Sequence, residues 1–153
     1  MTEIKPEVTI LLVEDDDVDA MAIERALKKL PARTRLIRAI NGEEALRFLR
    51  GGSASSTLTS DDNEKEMVAP FLVLLDLNMP RMGGIEFLEH VRDDVALKNT
   101  VIFVLTTSNA EADLTAAYDK NVAGYVLKSN ARSSTDAIVA MLNQYWMYVE
   151  LPK

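Results

Sequence analysis

The sequence predicts a doubly wound α/β domain, in which helices cover both faces of a five-stranded parallel sheet. Strand-like and helix-like segments alternate five times along the chain. Most of the strand-like segments are continuous apolar runs, which indicates strands that are buried on both faces. Buried strands joined by helical crossovers are typical of a parallel sheet between two layers of helices.

The predicted strands are bounded by changes in the hydrophobic pattern. They cover residues 8–13, 35–40, 71–75, 101–105 and 123–127. The second of them differs from the others, because charged and apolar residues alternate along it. This alternation predicts a half-buried strand at the edge of the sheet.

The predicted helices follow the strands and carry local start and stop signals. They cover residues 17 to about 30, 43–49, 85–91, 111–120 and 133 to about 148. Asp17 and Asp19 offer carboxylates that can cap the first helix, and Pro31 ends it. Asn41 and Gly42 predict a turn before the second helix.

The composition limits the function. The chain has 153 residues, which predicts a single domain over residues 1–153. A net charge of −7 and the lack of a basic run argue against nucleic-acid binding. With no cysteine and a single histidine, disulfides and cysteine-ligated or multi-histidine metal sites are excluded. No apolar stretch is long enough to span a bilayer and the amino terminus is not a signal peptide, so we expect a cytoplasmic protein without membrane contact.

Two segments lie outside the regular alternation. Residues 51–68 form a polar, low-complexity stretch between a helix and a strand, which predicts a loop insertion. It is either a surface insertion or a flap that contacts a partner. Residues from about 145 to 153 extend the last helix beyond the predicted core.

Polar side chains follow four of the five predicted strands. Glu14 and Asp15 come after the first strand, Asp76 ends the third, and Lys128 follows the fifth. The hydroxyl residues Thr106 and Thr107 follow the fourth strand. Since ligands of open α/β sheets bind outside the carboxyl ends of the strands, these groups are predicted to form one site.

The charges of this site indicate phosphoryl transfer. Asp15 and Asp76, assisted by Glu14, offer oxygen ligands to Mg²⁺, and the backbone carbonyl of Asn78 could add another. Lys128 is a cation suited to a phosphoryl oxygen. The Thr106 hydroxyl can donate to the same group. Asp76 is the predicted nucleophile, because the site converges on it, and it would become an aspartyl-phosphate.

Four sequence motifs together resemble the receiver domain of two-component response regulators. They are Val-Glu-Asp-Asp at 13–16, Leu-Asp-Leu-Asn-Met-Pro-Arg-Met-Gly-Gly at 75–84, Val-Leu-Thr-Thr-Ser at 104–108 and Gly-Tyr-Val-Leu-Lys at 124–128. The resemblance covers nearly the whole chain. The long insertion before the third strand and the aromatic ending are similar to single-domain regulators partnered with phytochrome-type histidine kinases.

The resemblance implies a flavodoxin-like (βα)5 fold with strand order 2-1-3-4-5. It also implies that a sensor histidine kinase, with the phytochrome type as a candidate, phosphorylates Asp76 in a Mg²⁺-dependent step. Thr106 and Tyr125 would be the switch pair that alters the face formed by the fourth helix, fifth strand and fifth helix. Thr107 is bulkier than the residue common at its position and would affect access to the phosphoryl group. Lys128 is followed by Ser129, where proline is usual.

The last predicted helix carries an aromatic stripe that can be interpreted in two ways. Tyr145, Trp146 and Tyr148 lie near its end. Residues at helical spacing normally pack on the sheet. Tyrosine and tryptophan are also enriched in protein interfaces, and the stripe continues beyond the expected core, so these residues are a candidate homodimer interface.

Two other functions have to be weighed against a phosphorylated signalling switch. A phosphorylation-independent pseudo-receiver that only docks partners would lack part of the set Asp15, Asp76, Thr106 and Lys128, which is complete here. A phosphatase of the haloacid dehalogenase type would carry a second acid two residues after the nucleophile, where this chain has Asn78. We therefore expect a signalling protein that catalyses only its own phosphorylation and dephosphorylation, and that has no attached output domain.

Overall fold

The protein is built on a six-stranded sheet. The computed structural model describes residues 8–29, 34–51, 56–57, 72–79, 81–106, 110–127, 140–142 and 144. Within these residues the strands are β1 (Val8–Val13), β2 (Thr34–Ala39), β3 (Ser56–Thr57), β4 (Leu72–Leu75), β5 (Ile102–Thr106) and β6 (Gly124–Leu127). Their order across the sheet is β3-β2-β1-β4-β5-β6.

Five of the strands are parallel. β2, β1, β4, β5 and β6 pair in this order, which is the predicted order 2-1-3-4-5 when the parallel strands alone are numbered. The prediction of a doubly wound, flavodoxin-like fold is therefore confirmed. Residues 140–142 and 144, within the last predicted helix, are helical.

Four helices connect the parallel strands in the described residues. They are α1 (Asp17–Leu27), α2 (Gly42–Leu49), α3 (Gly84–Asp93) and α4 (Glu111–Asp119). Side chains cap the first two: Asp16 accepts from the amide of Asp19 at 3.0 Å and Asn41 from that of Glu44 at 2.9 Å. The predicted cap of α1 was placed one residue too late, since Asp16 rather than Asp17 occupies it. α1 also ends at Leu27, three residues before its predicted end.

Hydrophobic residues lie on both faces of the sheet and form two clusters. One cluster joins Leu11 and Val73 to residues of α2 and α3, such as Phe48 and Phe87. The other joins Leu12 and Leu74 of the opposite face to α1 and includes Leu142. This alternation along each strand explains the continuous apolar runs, because each successive side chain enters a different core.

The second strand differs from its prediction. It was expected to be a half-buried edge strand, but residues Leu36, Ile37, Arg38 and Ala39 are all buried. The antiparallel strand β3 pairs with β2 through Ile37 and Arg38, so β2 does not form the outer edge of the sheet. β3 lies within the predicted insertion 51–68, where the polar composition gave no signal for a strand.

The division into a single domain with an insertion and a tail remains a prediction. Most residues of the insertion and all of the extension 145–153 lie outside the described part of the chain. Among the described residues, no helix has the length and apolar character needed to cross a bilayer.

Candidate phosphoryl-transfer and metal site

Three carboxylates meet at the carboxyl edge of the two central strands. Glu14 and Asp15 directly follow β1, and Asp76 directly follows β4. β1 and β4 are neighbours in which Val13 is the partner of Leu75, and the amide of Asp76 donates to the carbonyl of Val13 at 3.0 Å. One carboxylate oxygen from each of Glu14, Asp15 and Asp76 lies within 4.8 Å of the other two. The structure thus brings together the acids predicted to hold a metal.

The three carboxylates differ in exposure. Glu14 is 1% exposed and Asp76 is 7% exposed, whereas Asp15 is exposed. Two charged groups of the same sign are costly to bury side by side unless a cation or hydrogen-bond donors compensate them. Oxygen ligands in this number suit a hard divalent cation, which takes one or two carboxylates and retains several waters. The residues therefore fit a hard divalent cation.

The turn after Asp76 fixes its carboxylate. The amide of Asn78 donates to Oδ1 of Asp76 at 3.1 Å, which is a local Asx-turn. The amide of Gly84 donates to the carbonyl of Leu77 at 3.1 Å, so the start of α3 is bound to this turn. A side chain at Gly84 would not fit, since its Cβ would lie 2.6 Å from Cα of Leu77 and 2.8 Å from the carbonyl oxygen of Asp76. Gly84 thus permits a close approach of the start of α3 to the turn after Asp76.

Thr106 reaches the same edge from the neighbouring strand. It is the last residue of β5 and is fully buried. Nδ2 of Asn78 donates to Oγ1 of Thr106 at 3.3 Å. Asn78 therefore contacts both groups: its backbone amide donates to the carboxylate of Asp76, and its side-chain amide donates to the hydroxyl of Thr106.

The side-chain role of Asn78 was missed by the sequence analysis, which assigned a role only to its backbone carbonyl. The spacing Asp-x-Asn was the available signal, because an Asn amide two residues after a strand-end Asp is within reach of the next strand end.

The acidic turn is also held by a residue that the sequence analysis did not single out. Nε of Arg38 donates to the carbonyl of Glu14 at 3.0 Å, and Nη1 donates to Oδ1 of Asp17 at 2.7 Å. The half-buried edge strand predicted for residues 35–40 assigned no role to Arg38. The backbone amide of Asp16 donates a hydrogen bond to Oε2 of Glu14 at 3.4 Å, so the carboxylate of Glu14 also contacts the turn.

Tyr125, the second member of the predicted switch pair, lies on the next strand. It belongs to β6, is partly buried and packs against the cluster that includes Val104 and Phe87. In the register of β5 with β6, Val104 is the partner of Tyr125 and Thr106 the partner of Leu127. Tyr125 is therefore two residues before the strand position that pairs with Thr106.

Five residues predicted from the sequence lie outside the described part of the chain. They are Thr107, Lys128, Tyr145, Trp146 and Tyr148. Their assignments remain predictions.

A family model of the response regulator receiver domain matches residues 10–142, so the chain belongs to this family. Response regulators of two-component systems receive a phosphoryl group on an aspartate from a histidine kinase, and this is the function of the chain. Receiver domains bind a divalent metal, which agrees with the acidic cluster described above. Neither alternative function is better supported by these findings.

Several relatives extend the resemblance over nearly the full chain. Response regulator Rcp1 from Synechocystis sp. is 32% identical over 146 residues, which is 95% of this chain and 92% of Rcp1. The probable methanogenesis regulatory protein FilR2 from Methanothrix harundinacea is 33% identical over 141 residues, 90% of this chain and 83% of FilR2.

Solved structures agree with the sequence comparison. The crystal structure of the phosphorylated cyanobacterial phytochrome response regulator RcpA has a TM-score of 0.82 at 31% identity and covers 97% of this chain and 100% of that one. The Mn²⁺-bound form of Rcp1 has a TM-score of 0.79 at 32% identity and covers 95% of this chain and 99% of that one. The resemblance to phytochrome-associated regulators is therefore confirmed.

Proposed function

We propose that Asp76 is the phosphoacceptor of a Mg²⁺-dependent transfer from a sensor histidine kinase. The observation that carries this proposal is the meeting of the carboxylates of Glu14, Asp15 and Asp76 within 4.8 Å at the ends of adjacent strands. Asp76 is the central one of these acids. It follows β4, which lies in the sheet between β1 with its acidic turn and β5 with the hydroxyl of Thr106.

Each group of the site has a distinct role in this proposal. A carboxylate oxygen of Asp76 forms the new bond to phosphorus while the bond from phosphorus to the donor's histidine nitrogen breaks. The leaving imidazole keeps the electron pair of that bond and takes up a proton. Glu14, Asp15, Asp76 and the backbone carbonyl of Asn78 would hold Mg²⁺, and Glu14 would act through a water. When bound, Mg²⁺ neutralises the carboxylates and the phosphoryl oxygens.

Thr106 and Tyr125 form the proposed switch. The Thr106 hydroxyl accepts a hydrogen bond from Asn78. A hydroxyl can act as acceptor and donor, and in this proposal it donates to a phosphoryl oxygen of the phosphorylated protein. Movement of Thr106 towards Asp76 would leave space at the end of β5, into which the ring of Tyr125 can turn. Lys128 supplies a cation to the phosphoryl group, and Thr107 limits access to it.

A phytochrome-type kinase is the proposed partner. Supporting this are RcpA, which is a phytochrome response regulator, and Rcp1, both of which match this chain over nearly its full length. We further propose that the protein is cytoplasmic and catalyses only its own phosphorylation and dephosphorylation, since its site holds a nucleophile that is itself the acceptor.

A homodimer formed by the end of the last helix is part of the same proposal. Its candidate contacts are Tyr145, Trp146 and Tyr148. We expect removal of residues 145–153 to weaken self-association, because buried aromatic residues dominate the energy of most interfaces. Sedimentation equilibrium of the full and the shortened chain measures this, and identical profiles would assign the aromatic residues to the core instead.

Replacement of Asp76 by Asn tests the phosphoacceptor. The amide is isosteric with the carboxylate but cannot form a stable acyl phosphate, so Asp76→Asn should abolish labelling by acetyl phosphate in the presence of Mg²⁺. Intact-mass spectrometry detects the added phosphoryl group directly.

The matched control is Asp93→Asn, which removes an exposed carboxylate at the end of α3. Full labelling is expected for this control, and omission of Mg²⁺ should prevent labelling of every variant. An Asp76→Asn protein that is labelled as fast as the unchanged protein would exclude Asp76 as the acceptor.

A further inference from the structure

Arg38 is a buried cation directly beside the acidic turn. Arg38 is only 8% exposed, although the alternating pattern of its strand predicts that one face of the strand contacts solvent. Its guanidinium spans the turn: Nε donates to the carbonyl of Glu14 at 3.0 Å and Nη1 to the carboxylate of Asp17 at 2.7 Å. The two acceptors lie three residues apart, one at each end of the turn that carries Asp15.

The side chain approaches the turn from the face of the sheet that α1 covers. Arg38 is the strand partner of Leu12, and Leu12 and Leu36 pack in the same cluster as Ile23 of α1. Because side chains two residues apart in a strand share a face, Arg38 leaves the sheet on the same side as Leu36. It thus holds the first turn of α1 and the end of β1 at once.

The main chain of Glu14 is held on both sides as a result. Its amide donates to the carbonyl of Ala39 at 3.0 Å, which continues the β1–β2 pairing by one residue. Its carbonyl accepts from Arg38, the residue before Ala39. The point at which the chain leaves β1 towards Asp15 is therefore fixed by β2.

Burial of Arg38 carries a cost that its contacts only partly offset. Nη2 is buried without a hydrogen-bond partner in the described structure, and the carboxylate of Asp17 is 83% exposed. An apolar side chain of similar volume would avoid the desolvation of a charge. What an apolar side chain could not provide is a rigid, planar set of donors that bonds to two acceptors of the turn at once.

We propose that Arg38 is a positioning residue of the metal site. It holds the turn from Glu14 to Asp17, so that the carboxylates of Glu14 and Asp15 stay beside Asp76 before the metal binds. The inference rests on the proposed metal site. It assigns Arg38 a geometric role, because a positive charge close to the site would by itself oppose the binding of a cation.

The sign of the change in metal affinity tests this role. We expect Arg38→Met to weaken Mn²⁺ binding about tenfold, as is typical when a residue that orients metal ligands is removed. Arg38→Lys should bind with intermediate affinity, since a single ammonium group cannot bridge the same two acceptors. Isothermal titration calorimetry of the full chain with Mn²⁺ measures all three proteins. Tighter or unchanged binding in Arg38→Met, or unaltered binding in Arg38→Lys, would overturn the proposal.

Two further variants keep the test decisive if Arg38→Met does not fold. Asp17→Asn removes the charge from the exposed ion pair and should weaken Mn²⁺ binding about threefold, which corresponds to one exposed ion pair. Asp19→Asn removes a carboxylate from the same first turn of α1 and is the control for charge. Equal effects of Asp17→Asn and Asp19→Asn would show that charge alone matters and would refute the role of Arg38.

Amide hydrogen exchange in the metal-free protein separates positioning from general stabilisation. We expect exchange in Arg38→Met to accelerate at residues 14–17 and to remain unchanged in the core strands β4 and β5. Uniform acceleration would mean that Arg38 only stabilises the fold. Asp15→Asn serves as the control for the metal site: if the unchanged protein binds no more Mn²⁺ than Asp15→Asn, the metal site itself is refuted, and the inference with it.

Discussion

One arginine lies at each end of the sheet, and the two differ in burial and in their contacts: Arg38 is buried and Arg92 is half-buried. At the carboxyl end, Arg38 contacts one carbonyl and one carboxylate and keeps one nitrogen without a partner. At the amino end, Arg92 of α3 donates to the carbonyls of Lys98, Thr100, Lys120 and Asn121 over distances of 2.6 to 3.1 Å. Arg92 connects α3 with the chain before β5 and with the turn after α4.

The two arginines therefore serve different parts of the protein: the contacts of Arg92 stabilise the fold, and those of Arg38 lie at the site of the proposed chemistry. Partial burial lowers the pKa of the Arg92 guanidinium from its ordinary value. Its four acceptors described above are main-chain oxygens that would otherwise need another donor. Arg38 instead contacts the turn of the metal site. The main-chain contacts of Arg92 thus hold one end of the sheet, while the contacts of Arg38 at the other end lie beside the three carboxylates.

Replacement of Arg92 has the larger expected effect on stability. Arg92→Met should lower the free energy of unfolding by about 2–4 kcal/mol, because several carbonyls lose a charged donor at once. Mn²⁺ affinity should remain unchanged, since these contacts lie at the end of the sheet opposite to the carboxylates. Urea unfolding and calorimetric titration measure the two quantities.

Arg50→Met is the matched control for this experiment. Arg50 forms an ion pair with Asp94 at 3.3 Å, and its side chain is 51% exposed. Removal of an exposed ion pair should cost about 0–1 kcal/mol. If Arg92→Met cost no more than Arg50→Met, or if it weakened Mn²⁺ binding, the proposed separation between the two ends would be wrong.

Replacement of Asn78 has a smaller expected effect on stability and a specific effect on the chemistry. Asn78→Ala keeps the backbone amide that donates to Asp76 and removes the side-chain bond to Thr106. The free energy of unfolding should fall by about 1 kcal/mol or less, the contribution of one neutral hydrogen bond. Labelling by acetyl phosphate should slow by about threefold, because the Thr106 hydroxyl is no longer oriented.

Asn99→Ala provides the comparison for Asn78→Ala. Asn99 is an exposed residue in the chain before β5, at the amino end of the sheet. Its replacement should leave both stability and labelling rate unchanged. Equal labelling rates in the two variants would show that the contact between Asn78 and Thr106 does not assist the transfer.

The part of the site that could be predicted from the sequence shares one property. Glu14, Asp76 and Thr106 each end or follow an apolar strand, and parallel strands place their carboxyl ends at the same edge. The position of these residues at one edge therefore followed from local patterns, whereas the strand order was implied by the family resemblance. The family resemblance added the switch role of Tyr125, whose place on β6 the structure shows and whose movement remains a prediction.

The contacts that escaped prediction depend on distant parts of the chain or on main-chain atoms. Arg38 is buried because β3, a two-residue strand within a polar segment, pairs with β2 and because Asp17 lies close in space. No local pattern encodes either condition. The acceptors of Arg92 are carbonyl oxygens, which every residue possesses, so no residue type in the sequence marks them.

The sequence by itself determined the fold class, the family and the carboxylates at the strand ends. These depend on hydrophobic periodicity and on residue types at fixed spacing, both of which are local. Only the tertiary structure decided which charged side chains are withdrawn from solvent and what they contact, as the buried Arg38 and the half-buried Arg92 show. Burial of a charge depends on whether partners from elsewhere in the chain compensate its desolvation, and those partners meet only when the chain has folded.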